Sequence, residues 1–430
     1  MNPAFRRRRL DELVSQATSM TERADVIATA QSIVNDVRVR GEAAVREHAE
    51  RLDGLEPGAP LVIDRTGLQA ALCSLSADER TRLTRIAHRI RAFADGQRSA
   101  LPPFVMRLPG GSAGHVIAPV HRAGCYAPGG RYPLPSSVLM TAVTARAAGV
   151  NEVFVASPCR DNVMLACAAL ADADGFVVAG GAQAIAALAH GAGPVPSCDV
   201  VVGPGNAYVT AAKRLVFGHV GIDSLAGPSE LVVVADDSAD PTIVAADLLA
   251  QAEHDPSAIP ILVSVGEQPA AGVAEALVVQ MAALPNADIA GAALSNGGAI
   301  VVDGVQEAVA VCDALAPEHL HLNVGDARSI AGRFRNYGAL FIGTRSAEVL
   351  GDYGAGPNHV LPTGRASRFS GGLSVFSFLR IRTWLDIHDP LAAAGLYDDA
   401  AWLGRVEGLE AHARSAERRI ATPAPLERER

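Results

Sequence analysis

Two short stretches of this chain combine residue types that could do chemistry together. Ala316-Pro317-Glu318-His319-Leu320 sets a carboxyl and an imidazole side by side, directly after a proline. It closes a segment whose apolar residues (Ala308, Val309, Val311, Cys312, Leu315) recur at helical spacing. Proline lacks an N–H and clashes with the preceding turn, so Glu318 and His319 are expected on an exit loop. There a carboxyl and an imidazole could move protons near neutral pH. In Gln251-Ala252-Glu253-His254-Asp255 an amide oxygen and an imidazole stand at i and i+3, near the end of a predicted helix over 241–254. On one helix face such a pair lies roughly 5–6 Å apart at Cβ, close enough to share one cation. The competing reading is an imidazole capping the last carbonyls of the helix.

Further oxygen and imidazole ligands stand in loop-like sequence: Asp352, His359, Glu407 and His412. Mixed N/O ligation suits Zn²⁺, Mn²⁺ or Co²⁺, and the lack of thiolates argues against a closed structural zinc site. The six cysteines (Cys73, Cys125, Cys159, Cys167, Cys198, Cys312) form no C-x-x-C pair. They read as reduced core residues of a cytoplasmic protein. Cys125 alone adjoins a Gly-rich loop, but nothing near it in sequence would lower its pKa enough for a nucleophile.

The elements that must position these groups alternate between strand and helix. The 430 residues suggest two or three domains, and 49% hydrophobic residues suffice for large cores. Residues 22–55 and 76–98 read as surface helices. Strands are expected at Glu152–Ala156, Gly175–Val178, Val200–Val202, Leu231–Ala235, Ile261–Val265, Ala299–Val302 and Ala339–Ile342, with helices between them. Repeated βα units imply mostly parallel sheets in two doubly wound domains, with ligands beyond the carboxyl ends of the strands. The Gly129-Gly130, Gly180-Gly181 and Gly203-Pro204-Gly205-Asn206 turns lack a G-x-G-x-x-G pattern, so each reads more readily as a tight βα turn than as a phosphate cradle. A net charge of −9 leaves no footprint for nucleic acid, and no apolar stretch reaches membrane-spanning length. Arg6–Arg9 reads as a solvated arm. Asp11-Glu12 follow it, so it is no signal peptide. The tail from about 416, with Pro423 and Pro425, reads as frayed.

Taken in order, these motifs resemble the histidinol dehydrogenase family. The resemblance runs from about residue 30 to 415. It rests on Gly124-Cys125-Tyr126-Ala127-Pro128-Gly129-Gly130, Pro133–Met140, Gly180-Gly181-Ala182-Gln183, Gly203-Pro204-Gly205-Asn206, Ala226-Gly227-Pro228-Ser229-Glu230, Gln251–His254, Ala316–Leu320, Gly356–Thr363 and Glu407–His412. It implies zinc ligands at Gln251, His254, Asp352 and His412, and an acid/base pair at Glu318 and His319. It implies substrate contacts at Ser229, His359 and Glu407, beside the zinc ligands and His319, and NAD⁺ contacts at Tyr126, Gln183 and Asn206. The implied reaction takes L-histidinol through L-histidinaldehyde to L-histidine, reducing two NAD⁺, with one Zn²⁺ per subunit.

The implied fold is α/β, with two incomplete Rossmann-like domains and small terminal segments exchanged across a homodimer that shares its active sites. The expected boundaries are an arm at 1–18, a first Rossmann-like domain at 19–125 and 231–373 carrying the metal and catalytic residues, an NAD-binding domain at 126–230, and a dimerisation segment at 374–430. Ala94 and Ser224 depart from the family pattern, and the 371–384 stretch looks closer to family relatives that oxidise other polyols. Three readings therefore stand at this point. One is a histidinol dehydrogenase, one a same-fold NAD-dependent dehydrogenase of another small alcohol such as sulfopropanediol or an amino alcohol, and one a zinc hydrolase.

Overall fold

Runs of valine, isoleucine and alanine, apolar on both faces, build two separate sheets in the computed structural model of the protein. It describes residues 5–19, 24–129, 132–225 and 227–421. Gly130, Ala226 and the tail holding Pro423 and Pro425 lie outside the described residues. The chain divides into one unit of Met1–Arg98 with Val120–Phe378 and a second of Ser99–Pro119 with Leu379–Arg430.

In the first unit, six strands join in the order β1-β6-β5-β4-β7-β8. They are β1 (Val62–Asp64), β4 (Arg122–Tyr126), β5 (Glu152–Ser157), β6 (Gly175–Val178), β7 (Val200–Val202) and β8 (Gly221–Ile222). Only β1 runs antiparallel to its neighbour. Helices α6 (Pro135–Ala148), α7 (Asn162–Leu170), α8 (Gly181–His190) and α9 (Ala207–Val216) alternate with these strands. Five further strands form an all-parallel sheet, β11-β10-β9-β12-β13. They are β9 (Glu230–Ala235), β10 (Ile259–Val265), β11 (Gly298–Val302), β12 (His319–Asn323) and β13 (Ala339–Ile342). Val232 and Val234 of β9 face α1 (Leu10–Ser19), α13 (Val305–Leu315) and α14 (Ala327–Ile330). Leu231 and Val233 face α10 (Pro241–Ala252), α11 (Glu267–Met281) and α12 (Ala287–Asn296). Burial on both faces explains why these strands read as continuous apolar runs.

The second unit is a three-stranded antiparallel sheet, β14-β3-β2, and a helical hairpin. The strands are β2 (Phe104–Leu108), β3 (Gly111–Pro119) and β14 (Leu379–Ile387); the helices are α16 (Ala394–Val406) and α17 (Glu410–Ala421). Between the two helices Ala401, Ala413 and Ala416 are buried.

Sheet pairing groups the chain differently from the expected boundaries. Helices α2 (Ala24–Arg40), α3 (Glu42–Leu52) and α4 (Arg65–Ser74) precede the long α5 (Ala77–Ser99). The buried stripe of α2, Val26, Ala30, Ile33, Val34 and Val37, packs on α8 and α9, and α4 packs on α7. Residues 24–74, β1 and β4 thus go with the sheet of 126–230. Residues 104–119 form a sheet with β14, in which β3 lies between β2 and β14. The single helix expected over 22–55 breaks at Gly41, whose φ of 60° leaves the helical region. The α12 helix was not expected, since its alanine-rich stretch carries little apolar periodicity. Among the described residues no helix is long and apolar enough to cross a membrane.

One buried ion pair ties a site-forming turn to the first sheet. The Asp223 carboxylate accepts from the Gly203 N–H at 2.8 Å and pairs with Lys213, whose Nζ also donates to the Gly203 carbonyl at 3.0 Å. Both side chains are almost wholly excluded from solvent. Lys213→Met leaves a buried carboxylate without its cation and is expected to cost about 3–5 kcal/mol of unfolding free energy. Urea denaturation checks this, and a loss below about 1 kcal/mol would contradict the assigned role.

Candidate active site

Helix α13 ends in a left-handed residue, Ala316, with φ of 49°, and Pro317 prevents its continuation. A three-residue link, residues 316–318, leads into β12. The Pro317 and Glu318 carbonyls accept from Gly338 and Ala339 N–H at 2.9 and 2.8 Å, so pairing with the edge strand has already begun. Glu318 is thus the last residue of a short exit segment, as the proline suggested, whereas His319 already lies in the strand. His319 is the first residue of β12, in register with Leu231 of β9 and Ala339 of β13, and both side chains are buried. The pair sits at the amino ends of β9 and β12, not beyond the carboxyl ends.

Glu230, which opens β9, organises this corner. Its N–H donates to Glu318 Oε2 at 3.0 Å, and its carbonyl lies 3.1 Å from His319 Nδ1. A carbonyl only accepts, so Nδ1 carries the proton and Nε2 keeps its lone pair. Its own carboxylate accepts from Gly364 N–H at 2.9 Å. His319 Nε2 faces Glu348 at 3.8 Å, and ligand atoms of His319, Glu348 and Asp352 all lie within 4.8 Å of one another. Glu348 and Asp352 belong to the short α15 turn (Val349–Asp352 with Glu348 ahead of it). His254 Nε2 lies 3.6 Å from Asp352 Oδ2. His359 donates from Nδ1 to the Asp352 backbone carbonyl at 3.0 Å, and its Nε2 lies 3.4 Å from Ser137 Oγ on α6. Asn358 anchors the same segment to α6, donating to the Met140 carbonyl at 2.8 Å. Ser229 immediately precedes Glu230.

The α10 helix starts as its sequence suggested, with Asp240 Oδ1 accepting from Thr242 N–H at 2.8 Å and Pro241 in the first turn. Gln251 lies in its last turn, fully buried, and neither its Oε1 nor its Nε2 has a hydrogen-bond partner. His254 follows just beyond the helix, its N–H 3.4 Å from the Gln251 carbonyl. Both Glu348 oxygens are likewise buried without a partner.

Burial dominates the electrostatics. It pushes the His319 imidazole down to about 4, so the ring is neutral at pH 7. Burial pushes Glu318 well above the usual carboxylate range, with the Glu230, Asp352 and Glu348 carboxyls adding to it. Glu230 rises to about 7 through burial, and Glu348 to about 9 through burial and the adjoining Asp352. So many buried carboxyls require either shared protons or a cation. An orphaned amide oxygen, an imidazole and unpartnered carboxylates, with no thiolate, are a donor set that suits a borderline cation such as Zn²⁺.

The residues expected at the cofactor occupy the carboxyl ends of the first sheet. Tyr126 ends β4, and its hydroxyl accepts from Gly181 N–H at 3.1 Å. Gln183 lies buried in the first turn of α8, its Nε2 donating to Asp53 Oδ2 at 2.9 Å. Asn206 caps α9, its Oδ1 accepting from Tyr208 and Val209 N–H at 3.0 and 3.2 Å. Gly203 bends the chain tightly there, for a Cβ would meet the Tyr126 carbonyl at 2.0 Å. Glu407 and His412 belong to the second unit, at the end of α16 and on α17, and both are exposed. Cys125 is buried and pushed up to about 12, which agrees with its weak case as a nucleophile.

Three residues at these sites were not singled out from sequence: Glu230, Glu348 and Asp53. Glu230 directly follows Ser229, and Glu348 stands four residues before Asp352, one helical turn away. Asp53 gave no local signal, because its partners lie about 130 residues onward.

A sequence model of the histidinol dehydrogenase family matches residues 16–420. A histidinol dehydrogenase from Parasynechococcus marenigrum is 43% identical over 421 residues, covering 95% of this chain and 94% of that protein. One from Cereibacter sphaeroides is 44% identical over 402 residues, 92% of each. The crystal structure of histidinol dehydrogenase from Elizabethkingia anophelis superposes with a TM-score of 0.90 at 28% identity, covering 97% of this chain and 98% of that one. Matched over nearly its whole length, the chain belongs to the histidinol dehydrogenase family.

Proposed function

We propose that this chain oxidises L-histidinol to L-histidinaldehyde and then to L-histidine, reducing one NAD⁺ in each step. The observation that carries this reading is the His319 imidazole, neutral, buried and pinned through Nδ1, with Nε2 turned toward the Asp352–Glu348 cluster. An alcohol carbon gives up hydride only as its hydroxyl proton departs, and Nε2 is placed to take that proton. NAD⁺, when bound by Tyr126, Gln183 and Asn206, supplies the hydride acceptor. The aldehyde must gain water before its second oxidation. Glu318, held by the Glu230 N–H, is suited in its ionised form to take the proton of that water.

Gln251, His254, Asp352 and His412 would hold a zinc ion, which would supply a Lewis-acidic anchor for the substrate's imidazole and amine. Ser229, His359 and Glu407 would complete the substrate pocket, Glu407 facing the ammonium group. The two relatives compared above, matched over almost their whole length, are histidinol dehydrogenases, which favours this substrate over other small alcohols. A zinc hydrolase would have no use for the Tyr126, Gln183 and Asn206 set.

Glu407 and His412 lie on a hairpin that buries little of its own apolar surface. Trp402, Leu403, Val406 and Leu409 around them are 65%, 50%, 64% and 43% exposed. Such a surface supports a homodimer in which this hairpin completes the neighbour's site.

Two outcomes are expected. His319→Asn should lower kcat by roughly 10²–10⁴ with zinc content unchanged, because a base is lost and no ligand is. Glu318→Gln should slow oxidation of histidinaldehyde more than that of histidinol, as followed by NADH absorbance from each starting compound. Near-normal turnover in His319→Asn would contradict the assignment. In the second test, His319→Asn and His412→Asn subunits, each inactive alone, are mixed and allowed to re-form dimers. A shared site gives each hybrid one intact centre, so about a quarter of wild-type activity should return. No recovery would place each site within one chain.

A further inference from the structure

We infer that Asp53 is the positioning residue of the cofactor turn and sets the preference for NAD⁺ over its 2′-phosphorylated form. This rests on the reading of Tyr126 and Gln183 as cofactor contacts. A glycine pair between a parallel strand and a helix invites interpretation as a phosphate cradle, its free N–H groups aimed at the anion. In this chain those donors are already engaged. The Gly180 N–H donates to Asp53 Oδ2 at 2.8 Å, and the Gly181 N–H donates to the Tyr126 hydroxyl at 3.1 Å. A phosphate at this turn would have to displace a carboxylate.

Asp53 comes from the end of α3, distant in sequence, and is only half-buried. The same Oδ2 also receives Gln183 Nε2 at 2.9 Å. An amide whose NH₂ is held in this way presents its oxygen, so Gln183 offers the cofactor an acceptor and calls for a donor such as a ribose hydroxyl. Asn206 is held in the opposite sense: its Oδ1 caps α9 and its NH₂ remains to donate. The second Asp53 oxygen, Oδ1, stands 2.8 Å from where a Cβ on Gly180 would be, against the turn itself. No described residue hydrogen-bonds it. A carboxylate there accepts a hydroxyl proton and repels a phosphate dianion, the same discrimination that acidic residues perform on ribose in other dinucleotide sites.

Two substitutions in the full-length, zinc-loaded enzyme test this. Asp53→Ala frees the Gln183 amide and should raise KM for NAD⁺ about tenfold while kcat falls less than about threefold. NADH titration by fluorescence should show the same loss of affinity. Asp53→Asn keeps an oxygen for the Gly180 N–H but removes the charge. It should lower the ratio of kcat/KM for NAD⁺ to that for NADP⁺ about tenfold, a readout that a purely structural residue would not move. Unchanged KM in Asp53→Ala, or an unchanged cofactor ratio in Asp53→Asn, would overturn the inference. If Asp53→Ala fails to fold by circular dichroism, the ratio in Asp53→Asn decides alone. Gln183→Ala separates the two layers. If it leaves KM for NAD⁺ unaltered, the cofactor reading itself fails; if it raises KM while the Asp53 variants behave as wild type, only the role of Asp53 fails.

Discussion

The hydrogen bond from His319 Nδ1 to the Glu230 carbonyl is the interaction on which the candidate active site depends. It crosses between β9 and β12, adjacent parallel strands held by apolar packing on both faces. The same residue holds Glu318 through its N–H and the Gly364 loop through its carboxylate. Three polar groups of one residue thus orient an imidazole, a carboxyl and a loop. Because the bond lies inside a rigid sheet, the imidazole need not reorganise to present Nε2. A tautomer fixed by a backbone carbonyl is also insensitive to the protonation of nearby carboxyls.

The two sheets contribute opposite ends. The first supplies turns beyond the carboxyl ends of β4, β6 and β7, where Tyr126, Gln183 and Asn206 are held. The second supplies the amino ends of β9 and β12, with the end of α10 and the α15 turn beside them. The Asn358-His359 segment joins the two, since Asn358 bonds α6 and His359 bonds the Asp352 carbonyl. Glu230, Glu318, Glu348 and Asp352 form a concentration of buried carboxyls that hydrogen bonds only partly satisfy. Such a cluster is unfavourable by itself and favours cation binding, which would pull the raised carboxyls back toward their ionised forms.

Much of this was legible in the sequence, for definable reasons. Strands buried on both faces leave continuous apolar runs, so β5, β6, β7, β9, β10 and β11 are legible directly; the half-buried edge strand β13 is legible from its apolar run. The Asp240-Pro241 helix start was legible because its chemistry is local. Glu318 and His319 are legible as a pair, and Pro317 announces the short exit segment that carries Glu318. That His319 already opens β12 is not legible, because the pairing that starts the strand comes from residues 338–339, which no local pattern announces. Asp53 and Glu348 escape for related reasons: the side-chain contacts of one span over a hundred residues, and the carboxyl oxygens of the other have no hydrogen-bond partner among the described residues. The sheet of β2, β3 and β14 was missed because its strands alternate weakly and pair across most of the chain.

The central claim is that the orphaned Gln251 amide and the surrounding carboxyls are arranged for one cation next to the base His319. A zinc-edge anomalous difference map from crystals of the zinc-loaded protein tests this directly. The expected result is one strong peak per subunit within about 2.0–2.3 Å of Gln251 Oε1, a His254 ring nitrogen and an Asp352 oxygen, with His319 beside it and unligated. A peak elsewhere, or a Gln251 side chain still unpartnered in the loaded protein, would contradict the account.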